Sequence, residues 1–195
     1  MLLETSSSAQ EIIVINLGFA FCGGAIKYID DAFDSSDHGK TLAMIFAPIT
    51  GVICYLLIAT DIAAATILLA IMLGVALKGK IDTVGHLLAL AIVLLLLYVN
   101  PPEIMLLPWL VLGLAGFADE IGNDFVDSRP NLLKRASFWS GTKFTYFFLE
   151  YRCFMKVMMI ILFFMNILSW HYLVAFLFFD LAYHLTGTWS EHWIA

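Results

Sequence analysis

Charge is scarce in this chain. Only 13% of its 195 residues are Asp, Glu, Lys or Arg and 62% are hydrophobic, more apolar surface than a water-soluble domain of this size can bury. The net charge is -6 and no basic run occurs, so the positive surface that displaces counterions from nucleic acid is missing. A nucleic-acid partner is thereby excluded. Cysteine is sparse too: Cys22, Cys54 and Cys153 stand far apart without a CxxC pair, which excludes a zinc ribbon or a disulfide framework. Nor does any stretch alternate polar and apolar residues as barrel strands do. What the chain does have is repeated apolar runs of roughly 17 to 20 residues, the length a helix needs to cross about 30 Å of hydrocarbon.

Those runs predict an all-α, polytopic transmembrane bundle of about seven spans, near 11–29, 41–59, 61–77, 84–100, 103–119, 152–168 and 170–187. No linker divides the chain, so residues 1–195 read as one integral membrane domain in a cell membrane. Short links, at 60–61, 100–102 and 169–171, alternate with longer ones at 30–40, 78–83 and 120–151. All 10 basic residues lie in the long links or on span ends beside them. The positive-inside rule makes that face cytoplasmic, with the N-terminus outside and the C-terminus inside. Within the longest link, residues 131–140 pair Leu132, Leu133, Phe138 and Trp139 with Lys134 and Arg135, as a helix lying at the lipid interface would. Asp61, at a tight outer turn, is expected to cap the third span.

Acidic residues are not spread evenly either. Asp30, Asp34 and Asp37 follow the first span at i, i+4 and i+7, and Glu120, Asp124 and Asp127 repeat that spacing after the fifth. On a helix each set lines one face, where like charges repel and call for a compensating cation. Carboxylates without His or Cys partners suit a hard ion, so Mg²⁺ is the expected cofactor, with Asn123 as a neutral oxygen ligand. An even number of spans separates the clusters, which places both on one face. Gly23, Gly24 and Gly116 precede them and allow close helix approach. Lys78, Lys80 and Arg129 lie on the same face, placed to hold the phosphates of a metal-bound diphosphate. The catalytic candidates are Asp30, Asp34 and Asp124. Asp180 and His184, one turn apart inside the last span, form a polar pair that has to face protein or water.

Asn123-Asp124-Phe125-Val126-Asp127, then Arg129-Pro130 and Ser140-Gly141, resembles the Asn-Asp-x-x-Asp and Arg-Pro pattern of the UbiA-type membrane prenyltransferases. Two acidic motifs at cytoplasmic helix ends, four spans apart, are similar to that family's layout. The resemblance implies that Asp30, Asp34, Glu120, Asp124 and Asp127 bind magnesium, which holds a prenyl diphosphate while its carbon–oxygen bond ionises and an acceptor attacks. It also implies more spans than this chain holds, and an Asn where Ile26 stands four residues before Asp30.

The expected function is therefore a Mg²⁺-dependent membrane transferase acting on an isoprenoid or other lipid (di)phosphate at the cytoplasmic face, with membrane lipids as its surroundings. A divalent-cation or proton-coupled transporter is the alternative, and a non-catalytic assembly subunit a further one. Depth separates the first two. Enzyme carboxylates gather at one end beside an apolar crevice, whereas transport carboxylates converge at the midplane.

Overall fold

The computed structural model describes residues 8–34, 39–129 and 141–194, which form eight helices and, among the described residues, no strand. They are α1 (Ala9–Asp34), α2 (Lys40–Thr60), α3 (Ile62–Lys78), α4 (Val84–Val99), α5 (Leu106–Asp127), α6 (Gly141–Glu150), α7 (Cys153–Phe164) and α8 (Trp170–Ile194). Each expected span overlaps a helix, and α6 is an additional one within the longest link.

Local chemistry sets several of the ends. Ser8 and Glu11 form a reciprocal capping box at the start of α1, the Ser8 N–H donating to Glu11 Oε2 at 2.8 Å and the Glu11 N–H to Ser8 Oγ at 3.3 Å. Asp61 caps α3, its Oδ1 accepting the N–H groups of Ala63 and Ala64 at 2.6 and 3.0 Å. Thr83 does the same for α4 through the His86 N–H. Gly79 ends α3 in the left-handed region, at φ 75°, where a side chain would be strained. Pro48 lies inside α2.

The first and last helices, α1 and α8, pack against each other, and α3 packs on α5. Small residues allow both contacts: Gly23 abuts the backbone of Phe179, and Gly74 abuts Gly116 and Phe117. α2 joins the two pairs through α1 and α3, and α4 packs against α2 and α1. Phe19, Ile67, Leu112 and Met159 are completely enclosed in the shared core.

The exterior is apolar as well. Leu95, Tyr98, Leu107 and Phe164 are among the many large side chains that stand exposed. Two helices, α1 and α2, are long and apolar enough to cross a bilayer, while α3, α4 and α7 are apolar but shorter. The expected span at 152–168 is helical only over Cys153–Phe164, 12 residues or about 18 Å. It is preceded by a break at Tyr151 and Arg152 rather than by a continuous helix. The interfacial segment 131–140 lies outside the described residues.

Asp119, on α5, secures that break. Its two carboxylate oxygens accept the N–H groups of Phe154 and Met155, each at 2.8 Å, and so cap α7 from a neighbouring helix. Asp119→Ala is expected to cost about 2 kcal/mol, the upper range for a lost N-cap, and Asp119→Asn less, since one oxygen remains to accept. SDS-titrated unfolding in micelles measures both, and equal stability of the alanine variant and wild type would remove the capping role.

Candidate functional site

Because α1 and α5 run beyond the apolar stretches to Asp34 and Asp127, Asp30 and Asp34 of the first set and all of the second sit on helical turns. Helix ends bring them to one end of the bundle, with the last turn of α3, the first turns of α4 and α7 and the later half of α8. A cavity of about 190 Å³ opens there. Asp30, Lys80, His86, Glu120, Arg152 and Asp180 line it, above apolar walls that include Met72, Val75, Val93, Phe176 and Phe179. From His86 to Val93 on α4 the walls extend about 10 Å along the bundle.

The second cluster is knitted by cations. Lys80 Nζ lies 2.7 Å from Glu120 Oε2 and 2.8 Å from Asp124 Oδ1, so two carboxylates point at one ammonium. Lys78 holds the other Asp124 oxygen at 2.7 Å. Burial works to raise the Asp124 carboxyl, but the two lysines outweigh it and hold it below the ordinary range. Burial likewise works to lower Lys80, and its hydrogen bonds and charge contacts with Asp124 and Glu120 carry it above the ordinary lysine value. Glu120 is nearly enclosed, 7% of its side chain exposed, and Arg152 reaches its other oxygen at 3.3 Å. Asn123 donates to Asp127 at 2.6 Å and accepts from Arg152 Nε at 3.3 Å.

The first cluster is more open. Asp30 faces the cavity, with Lys27 Nζ at 3.5 Å and His86 Nδ1 at 3.9 Å. Asp34 is exposed at the end of α1, and Asp37 lies outside the described residues. Asp31 pairs with Lys27 at 2.7 Å and accepts from Ser190. Arg129 is exposed and stacks on the Phe125 ring, 3.9 Å from its centre, instead of turning to the cavity. Asp180 pairs with Lys156 at 2.9 Å, and His184 Nε2 stands 3.9 Å away. Among the described residues no group of three or more His, Cys, Asp or Glu side chains gathers closely enough to hold a metal ion.

Arg152, Lys156, His86 and Tyr183 complete the site without having stood out in the sequence. Arg152 takes φ 50° and ψ 57°, a left-handed conformation that costs a non-glycine residue about 1–2 kcal/mol. Its guanidinium lies over the Tyr183 ring at 4.9 Å. Lys156 steadies the same turn by donating to the carbonyl oxygens of Tyr151 and Arg152. No sequence pattern announces a left-handed arginine; only the interruption of an aromatic run marks the place.

No protein-family model, no curated protein and no solved structure matches the chain.

Proposed function

We propose that the chain is a multi-pass membrane transferase that binds a lipid (di)phosphate with Mg²⁺ at its charged, cytoplasmic end. The apolar exterior and the gathering of the Lys and Arg side chains toward one end, among the described residues, support the membrane reading. The observation that carries the function is the cavity, where an acid of each cluster and Lys80 surmount walls suited to an apolar chain. Its polar groups sit at the end of the bundle, with apolar wall beneath, which weighs for an enzyme over a transporter.

Glu120 and Asp124 are the residues that would hold one magnesium ion. Glu120 and Asp124 already direct an oxygen each at a single cation, the Lys80 ammonium, and Mg²⁺ is commonly held by one or two carboxylates together with substrate phosphate. Asp30 and Asp34 form no comparable pair, since Asp34 is exposed and Asp30 stands beside Lys27 and His86. Bound by Glu120 and Asp124, the ion would supply charge neutralisation on a departing diphosphate. Lys78 and Lys80, released from those acids, bind phosphate oxygens. Phe176 and Phe179 line the walls, where they would keep water from the apolar chain. By the resemblance to the UbiA-type enzymes that chain is a prenyl group.

Asp124→Asn tests the reading. Protein in nanodiscs should bind a prenyl diphosphate in a Mg²⁺-dependent way, and the variant should bind it about tenfold or more weakly, the loss of one charge-assisted contact. If both bind alike, while wild type conducts divalent ions in liposomes and the variant does not, the transporter replaces the enzyme.

A further inference from the structure

We infer that Lys80 and Arg152 form a diphosphate-type anion site that the Glu120 carboxylate occupies. The inference rests on the reading of the cavity as a lipid (di)phosphate site, and adds to it a receptor residue and an internal competitor.

Glu120 projects from α5 between two cations brought from separate elements, Lys80 from the α3–α4 turn and Arg152 from the break before α7. Each cation meets a different oxygen of the one carboxylate, so a single anionic group occupies the space between them. All three residues line the cavity. Glu120 Oε2 is buried and meets the Lys80 ammonium at 2.7 Å. A guanidinium presents a planar fork of donors that can bind two oxygens of a carboxylate or a phosphate at once, and here it meets a single Glu120 oxygen, at 3.3 Å. Arg152 is already aimed, since Asp119 and Lys156 hold its turn and the Tyr183 ring supports its face. Binding at such a group needs little further ordering. A ligand phosphate takes the place of the carboxylate, and Glu120, displaced, turns to the accompanying cation.

The competitor makes the proposal testable with an unusual sign. Inorganic diphosphate binding is measured by calorimetry on protein in nanodiscs, with EDTA present so that no metal contributes. Glu120→Gln removes the competing charge while keeping the side chain's size, and should bind diphosphate at least fivefold more tightly than wild type. Arg152→Ala should bind it at least tenfold more weakly and regain part of the loss when guanidinium ion is added. Arg152→Lys, which keeps the charge but loses the fork, should fall between them. Thermal unfolding of each variant shows which have folded, and if Arg152→Ala does not, Glu120→Gln and Arg152→Lys carry the test. Unchanged affinity in a folded Arg152→Ala, or no gain in Glu120→Gln, would overturn the anion site while leaving the transferase reading in place. Wild type that binds no diphosphate with or without Mg²⁺ would end both.

Discussion

Gly23→Ala should loosen the bundle more than any other single methyl added to it. A Cβ built at Gly23 would stand 2.1 Å from the carbonyl oxygen of Phe179 and 2.8 Å from its carbon, backbone atoms that no rotamer change can move. Helices α1 and α8 have to separate or slide. Overpacking costs about 1–3 kcal/mol where side chains can yield, and here the loss should exceed about 3 kcal/mol. The neighbouring Gly24 supplies the control. Its added methyl would meet the Thr186 hydroxyl at 3.2 Å, a contact the side chain can relax, and alanine is favoured over glycine in a helix by up to about 1 kcal/mol. Gly24→Ala should therefore be neutral or slightly stabilising. SDS-titrated unfolding distinguishes the two, and a Gly23→Ala protein as stable as wild type would mean that α1 and α8 do not meet at this point.

Much of the helical framework was open to reading before any coordinates. Apolar runs, interrupted by residues such as Asp61 that cap helices through their own side chains, require only local information. The same holds for the acidic sets, whose helical spacing puts carboxylates on one face wherever the helix continues, as α5 does to Asp127. The partners of those carboxylates were a different matter. Repulsion along a helix demands a cation, and magnesium satisfies that demand on composition alone, yet in the folded chain Lys78, Lys80 and Arg152 meet Asp124 and Glu120 directly. Lys78 and Lys80 were recognisable neighbours because they occupy a turn on the same face. Arg152 was not, because its place depends on a break between α6 and α7 that Asp119 and Lys156 stabilise from outside the segment. Arg129, close to Asp127 along the chain, turns away onto Phe125, since adjacency in sequence says nothing of where a long side chain finds an aromatic face.

Lys156→Met should be among the most damaging changes at the charged end, for a reason that sets it apart from the loss of a surface ion pair. Lys156 and Asp180 lie 2.9 Å apart with 19% of each side chain exposed, so removing the ammonium leaves a carboxylate in a largely desolvated position. Breaking such a pair from one side costs about 3 kcal/mol or more, because the abandoned charge keeps its desolvation penalty and loses its compensation. Asp180→Leu, with the charge sign reversed, should cost a similar amount, softened because Lys156 can still donate to the Tyr151 and Arg152 carbonyl oxygens. Combining the two removes both charges. The double variant should then be more stable than Lys156→Met alone by about 2 kcal/mol, the sign expected when a buried pair is replaced by apolar side chains of similar size. It should not regain wild-type stability, since the two carbonyl groups at the break remain without their donor. Strictly additive losses across this cycle, measured as unfolding free energies in micelles, would show that the two charges are each solvated independently and that the pair does not tie α7 to α8.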